Sequence, residues 1–322
     1  MLEPEKDTEL VETWQRFLQG VLGVLMLVGT GVMAHYYAPP PTDDLQQRVQ
    51  QLSRQVEQLQ KQRKQESSPV FTDDARDSVA YVYGIYHIAG STRSGSFRAR
   101  VAGTAFVVAP GLLATNRHVA EPWYRDREVE AALSRGATPV LEKLVAYFPG
   151  SPVAVELKLA AVAKYGDLAV LRMQATEFTE SLHPLTLAHN EPRTGDAVSV
   201  IAYPMGVTGM VAKSPAAIYE RLSARQEDAN MAGELAALSL IRPSATFGHL
   251  GDVTADKMIY DAPTARGGSG GPVLNARGEV IGINSAYIDG FSGGTLGIAV
   301  SQLLPLIESA RQVPVEAASK SR

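Results

Sequence analysis

Cysteine is absent from all 322 residues, so neither disulfides nor thiolate metal sites can staple the fold. That absence assigns no compartment, because such a chain folds equally well in oxidising and reducing surroundings. An excess of one charge is also missing: 30 basic residues against 34 acidic ones leave a net of −4. Without a basic surplus there is no electrostatic footprint for a nucleic-acid partner. With 45% hydrophobic and 20% charged residues, the rest of the composition is that of an ordinary globular protein. Long hydrophobic runs are lacking too, with one exception near the amino terminus.

The exception is FLQGVLGVLMLVGTGVMA, an 18-residue run at 17–34 interrupted only by Gln19 and Thr30. As a helix it spans about 27 Å, close to the hydrocarbon core of a bilayer. Trp14 precedes it and Tyr36 and Tyr37 follow, where interfacial aromatic residues sit. Pro39, Pro40 and Pro41 then end the helix. A cleaved signal peptide is the competing reading, since Val32, Met33 and Ala34 resemble a small-residue cleavage site. The leader is long and acidic (Glu3, Glu5, Asp7, Glu9, Glu12) rather than short and basic, which favours a retained anchor. Residues 17–37 are therefore expected to span a membrane. Lys6 and Arg16 precede the span and Arg48 follows it, so residues 1–16 are expected in the cytoplasm and the remainder outside.

Residues 43–66 carry Leu45, Val49, Leu52, Val56 and Leu59 at spacings of 4, 3, 4 and 3. This is the apolar seam of a short coiled coil, and valine alternating with leucine favours a parallel homo-oligomer of two strands. A solvated spacer helix with one apolar stripe is the alternative.

From residue 70 to 315 short apolar runs alternate with glycine and proline, the texture of a β-barrel or sandwich. Strands are expected at 78–89, 103–109, 144–148, 153–163, 167–173, 197–203, 258–262 and 279–288. Helical interruptions are expected at 121–136 and 214–241, where Ile218/Leu222 and Met231/Leu235/Leu238 fall at helical spacing. A terminal helix is expected at 301–313. Residues 316–322 form a tail.

Within this region ARGGSGGPVLN, residues 265–275, sets one serine between two glycine pairs. A phosphate cradle needs Gly-Lys-Ser/Thr before a helix, whereas this loop has no lysine and leads into a strand. The G-x-S-x-G elbow of α/β-hydrolases takes its histidine after the serine, and the last histidine here is His249. Both readings fail. A nucleophilic serine needs a histidine base that is itself oriented by a carboxylate. Of six histidines, His35 belongs to the apolar segment's flank, and His183 and His189 lie in turn-like surroundings. His118, in GLLATNRHVA, follows an apolar strand that can present it. Asp167, in KYGDLAVLR, opens an apolar strand where a half-buried carboxylate can accept from the imidazole.

Three blocks, GTAFVVAPGLLATNRHVA, YGDLAVLR and GGSGGPVLNARGEVIGINSA, resemble the catalytic blocks of trypsin-like serine proteases, in that family's order. They are most similar to the HtrA-like bacterial branch, as are GDAVSVIAYPMG at 195–206 and TLGIAVSQLL at 295–304. The resemblance covers residues 75–312. It implies a mainly β fold of two six-stranded antiparallel barrels, with helical insertions and catalytic residues at the barrel junction. It implies Ser269 as nucleophile, His118 as general base then acid, and Asp167 as the residue orienting the imidazole. Backbone N–H groups of Gly267 and Ser269 would form the oxyanion hole, and Ser285 matches a position lining the substrate cleft. No metal or organic cofactor is implied.

The chain also departs from that family. Position 268 is glycine, where trypsin relatives carry aspartate and the HtrA branch usually asparagine. Activation by pairing a new amino terminus with that aspartate is thus excluded. The glycine loop is expected to be partly disordered before substrate binds. Ten residues follow Gln312, so no PDZ domain is expected. Pro263 and Thr264 offer no acidic pocket base, which argues against a preference for Arg or Lys. The insertion at 214–241 is expected to border the cleft. These features describe a membrane-anchored serine endopeptidase acting on proteins or peptides outside the cytoplasm; the alternative is a decayed or latent protease fold that binds partners.

Overall fold

In the computed structural model, residues 5–37, 48, 50–58, 73–90, 97–225, 229–287 and 294–312 are described. The chain separates into two units, Met1–Gln65 and Glu66–Arg322.

The first unit contains helix α1, Glu5–Tyr37. Its 33 residues extend about 50 Å. The described large apolar side chains are exposed all round it, among them Trp14, Phe17, Leu22, Leu25 and Leu27. Among the described residues no helix is long and apolar enough to cross a membrane. The apolar run at 17–34 includes Val32 and Ala34, whose side chains lie outside the described set. Of the expected seam, Leu52 and Val56 are described, helical and exposed on one face. Leu45, Val49 and Leu59 lie outside the described residues.

The second unit holds two closed antiparallel barrels of six strands each. The first is formed by β1 (Val79–Ala89), β2 (Phe97–Ala109), β3 (Leu112–Thr115), β4 (Thr138–Tyr147), β5 (Val155–Val162) and β6 (Ala169–Met173). The second is formed by β7 (Ala197–Ala202), β8 (Ser244–Val253), β9 (Lys257–Tyr260), β10 (Pro272–Leu274), β11 (Val280–Tyr287) and β12 (Thr295–Ala299). Strand alternation explains the layers. In β1, Ala80 and Val82 face the interior of the first barrel with Val107, Leu113 and Leu171. Their neighbours Val79, Tyr81 and Tyr83 face the opposite way, into a cluster shared with Ile201, Tyr203, Leu274 and Ile283 of the second barrel. Both faces of β1 are therefore buried, which is why its sequence reads as a continuous apolar run. Val198, Val200, Leu250, Met258 and Ile281 fill the second barrel.

The strand that the glycine loop leads into is β10, and the last strand implied by the resemblance at 295–304 is β12; β3, of four residues, and β8 were not separately expected from residue patterning. The excursion between β7 and β8 begins earlier than expected. It comprises helices Gly206–Ala212, Ala216–Ser223 and Ala229–Ala237, the first of which is too glycine-rich to show a helical period. Met210, Leu222, Met231 and Leu235 bury their side chains in the shared cluster. Lys213 Nζ donates to Arg242 O (2.8 Å) and Ser244 Oγ (2.9 Å), tying the excursion to its own exit. Burial pulls the Lys213 ammonium below its ordinary pKa, as expected for a cation held mainly by neutral acceptors. The other insertion narrows to helix Arg127–Leu133, started by Asp126, whose carboxylate accepts from the N–H groups of Glu128 and Val129. The final helix, Leu304–Gln312, tolerates Pro305 because a first-turn residue needs no intrahelical N–H partner.

Tyr203 crosses the barrel junction: its O–H, kept protonated by burial that pushes its pKa well up, donates to Val79 O at 3.0 Å. Tyr203→Phe keeps the ring and removes the donor. The expected loss is about 1–2 kcal/mol of stability, read from denaturant midpoints; an unchanged midpoint would show that the bond contributes nothing.

Candidate active site

His118 is presented by the short helix Arg117–Ala120 that follows β3 directly. Asp167 lies two residues before β6, the strand paired with β3, so the two side chains meet at adjacent strand ends. Asp167 Oδ2 lies 2.7 Å from His118 Nδ1, and Oδ1 accepts the His118 backbone N–H at 2.9 Å. A ring nitrogen facing a carboxylate in this way carries the proton, which leaves Nε2 as the basic nitrogen. Asn116 Nδ2 donates to the Asp167 carbonyl at 2.9 Å and fixes the backbone behind the carboxylate. The Asp167 side chain is 14% exposed and that of His118 is 36% exposed, so solvent reaches the imidazole more than the acid. Two other histidines are engaged elsewhere: His87 faces Glu142, and His183 faces the carbonyl of Ser181.

Ser269 comes from the second barrel, on the loop leading into β10. Its hydroxyl donates to the carbonyl of Ser285 at 2.9 Å. Ser285 Oγ in turn donates to Asp167 Oδ2 at 3.1 Å. Ser285 thus links Ser269 to the His118–Asp167 pair. Among the described residues no hydrogen bond joins Ser269 Oγ to His118. Such contacts are commonly loose in ligand-free sites and tighten with substrate.

Expected to be loosely ordered, the glycine loop is held at three successive carbonyls. Thr104 Oγ1 donates to Gly267 O (2.7 Å), Asn284 Nδ2 to Gly268 O (2.7 Å), and the Thr104 N–H to Ser269 O (2.8 Å). Within 267–271, the N–H groups of Gly268, Gly270 and Gly271 donate to backbone carbonyls. Those of Gly267 and Ser269 find no acceptor among the described residues. Gly267 has φ +90°, and a Cβ there would sit 2.5 Å from Tyr203 O, so only glycine fits. At Gly268 a Cβ would collide with Thr264 Oγ1 and lie 3.0 Å from Ala265 O. The space a side chain at 268 would need is therefore filled from outside the loop.

Thr104, Asn284 and Met205 were missed by residue patterning, though two left a signal. Thr104 lies between Gly103 and Ala105 and Asn284 follows Ile283, polar residues buried in otherwise mostly apolar stretches of strand, and buried polar groups require partners. Met205 left none: its φ of +62° belongs to the fold, and its N–H donates to Arg266 O at 2.6 Å.

Beside His118 and Asp167 opens a hollow of about 430 Å³, lined also by Tyr86, Arg100, Tyr124 and Arg125. Larger hollows, of about 550 and 1010 Å³, lie around residues 189–196 and do not touch this cluster. Among the described residues no group of three His, Cys, Asp or Glu is placed to hold a metal ion.

Two closed six-stranded antiparallel barrels with a serine loop and a His–Asp pair at their junction define a trypsin-like fold. The chain belongs to the family described as the trypsin-like peptidase domain, whose profile matches residues 103–283. It is similar to a "Probable periplasmic serine endoprotease DegP-like" of Brucella suis biovar 1 (strain 1330), 28% identical over 213 residues, 66% of this chain and 32% of the relative. A protein of the same description from Rhizobium meliloti (strain 1021) is 30% identical over 214 residues, 65% of this chain and 32% of the relative. The chain therefore spans about a third of the length of these curated relatives. Among solved structures, the serine endoprotease from Yersinia pestis aligns with a TM-score of 0.48 at 19% identity, covering 77% of this chain and 66% of that one. The HtrA-type protease AlgW, solved with a decapeptide, aligns with a TM-score of 0.49 at 18% identity, covering 74% and 66%.

Replacing Thr104 by valine keeps its shape and deletes the hydroxyl. Gly267 O, and the Tyr203 N–H that donates to Thr104 Oγ1 at 3.1 Å, both lose a buried partner. Stability is expected to fall by about 2 kcal/mol or more in a denaturant titration. A loss below about 0.5 kcal/mol would mean that water or relaxation replaces both bonds.

Proposed function

We propose that this protein is a serine endopeptidase hydrolysing protein or peptide substrates through His118, Asp167 and Ser269. The observation that carries this reading is the complementary engagement of the loop. Among the described residues, the amides of 267–271 that find no acceptor are those of Gly267 and Ser269, beside a serine linked through Ser285 to a His–Asp pair.

The chemistry follows from the positions. Ser269 Oγ, released from the Ser285 carbonyl, attacks the scissile carbonyl carbon while His118 Nε2 takes its proton. Asp167 holds Nδ1–H and stabilises the imidazolium that forms. The C–O bond formed to Ser269 pushes charge onto the substrate oxygen, which accepts from the Gly267 and Ser269 N–H groups. The C–N bond then breaks, with His118 returning the proton to the departing amine. Water, deprotonated by the same imidazole, attacks the acyl-enzyme and frees Ser269.

A second reading, a latent protease fold that binds partners, draws on the Ser269 hydroxyl being turned to Ser285 rather than His118. A peptidyl phosphonate separates the two. Wild type is expected to be labelled covalently and Ser269→Ala not at all, while Asp167→Asn hydrolyses peptides roughly 10⁴-fold more slowly. Absence of labelling in all three variants supports the latent scaffold.

Residues 17–37 are the membrane anchor in this reading, with the protease unit on the extracytoplasmic, periplasmic side and residues 43–66 joining copies into an oligomer. An apolar helical surface exposed on every side is stable only when lipid covers it, and the span 17–34 carries no charged residue. The full chain is expected to stay in the membrane pellet through alkaline carbonate extraction. In detergent it should cross-link as a dimer, and lose that species when Leu52 and Val56 become glutamate. Release into the carbonate supernatant overturns the anchor, and cross-linking unaffected by the glutamates overturns the seam.

A further inference from the structure

We propose that Asn284 is a positioning residue of the oxyanion site, its side-chain amide setting the plane of the Gly268–Ser269 peptide. This rests on the serine endopeptidase reading and adds the group that makes one of its two N–H donors usable.

The argument begins with peptide planarity. In a trans peptide the C=O and the following N–H point in opposite directions, so holding the oxygen aims the hydrogen. The Ser269 N–H shares its peptide with Gly268 O, which accepts from Asn284 Nδ2 at 2.7 Å and, more weakly, from the Gly271 N–H of the loop itself at 3.2 Å. The Gly267 N–H shares its peptide with Arg266 O, which the Met205 N–H holds at 2.6 Å. Each amide that faces the reacting oxygen is thus aimed from behind by a donor outside the loop. One of these two donors is backbone. The other is a side chain, and it alone can be removed without moving the chain.

Every polar group of Asn284 is engaged, all but Oδ1 with the segment 264–271. Its backbone N–H donates to Gly271 O (2.8 Å), and its carbonyl accepts from the Gly270 N–H (2.8 Å). Nδ2 also donates to Thr264 Oγ1 at 3.0 Å. Oδ1 accepts from the Tyr260 O–H at 2.7 Å. Burial pushes the Tyr260 pKa well above its ordinary value, so the phenol stays a donor. The acceptor-only Gly268 carbonyl settles the amide orientation, because a flipped Asn284 would turn its own carbonyl onto Gly268 O. With glycine at 268 the loop has no side chain of its own to brace this peptide. Asn284, 1% exposed, supplies the brace from β11.

Asn284→Asp keeps the shape and puts an acceptor against Gly268 O; Asn284→Ala removes the group; Tyr260→Phe removes only the phenol that donates to it. In the full chain, kcat for a peptide amide is expected to fall roughly 10²-fold in both Asn284 variants, with KM within about twofold. Tyr260→Phe should fall in the same direction by less than about tenfold. Affinity for a peptide aldehyde, whose adduct needs the same two N–H groups, should drop with kcat. Binding of the uncleaved peptide, measured in a Ser269→Ala background, should not change with Asn284→Ala. Hydrogen exchange across 264–271 should accelerate in all three variants while β4 and β5 keep their protection. The proposal is overturned if kcat falls only in proportion to the titratable active fraction, if KM rises with kcat unchanged, or if exchange at 264–271 stays at wild-type rates. A wild type that neither hydrolyses nor labels overturns the endopeptidase reading instead, and the exchange measurement still decides whether Asn284 holds the loop.

Discussion

Thr104 makes four hydrogen bonds, three of them across the junction between the barrels, and the arrangement of the site depends on them. Its N–H donates to Ser269 O, its hydroxyl donates to Gly267 O and accepts from the Tyr203 N–H, and its carbonyl accepts from Thr115 Oγ1. The residue is 0% exposed, so each bond acts in surroundings of low polarity where an unmade partner is costly. One barrel-1 strand residue thereby fixes two carbonyls of a loop that belongs to barrel 2. His118 and Asp167 stand on barrel 1, Ser269 on barrel 2. No element carries all three, and their relation is set by how the barrels dock.

A second crossing returns in the other direction. Ser285, on β11 of the second barrel, reaches Asp167 on the first, and its carbonyl receives the Ser269 hydroxyl. Behind both crossings lies the shared apolar cluster of Tyr81, Phe106, Ile201, Tyr203 and Ile283, with the helical excursion packed onto it. Apolar burial supplies adhesion without direction; the buried hydrogen bonds supply register. A change in the cluster that shifts one barrel by a fraction of an ångström is transmitted to the distance between Ser269 and His118. Distant core substitutions in this unit are therefore expected to affect the site more than their exposure to substrate suggests.

Much of this was legible in the residues because two kinds of signal coincide. The order His118, Asp167, Ser269 with no later histidine excluded the elbow by counting, and long alternating or continuous apolar runs located β1, β2, β5 and β11. The short strand β3 escaped because four residues cannot display a period. The helix Gly206–Ala212 escaped for a different reason: its stability comes from burying Val207, Met210 and Val211 rather than from propensity. Thr104 and Asn284 were visible only as polar residues in mostly apolar stretches of strand. That pattern announces a partner without naming it, because the partners lie 163 and 16 residues away in the chain.

Glycine content misled in a more instructive way. GGSGG reads as flexible because each glycine adds freedom to the unfolded chain, and ordering it costs more than ordering any other residue. In the folded unit that cost is met by neighbours instead of by the loop's own side chains. Gly267 abuts Tyr203 O, Gly268 abuts Thr264 Oγ1, and a bulky residue, Met205, adopts φ +62° in the segment that holds Arg266 O. A non-glycine residue persists in that region only where its surroundings over-determine it. The left-handed Met205 therefore marks where the excursion between β7 and β8 begins to bear on the loop. Glycine at 268 then has a physical sense. Removing that side chain opens room for Thr264 and Asn284, and moves control of the Ser269 amide from the loop to the strand beneath it.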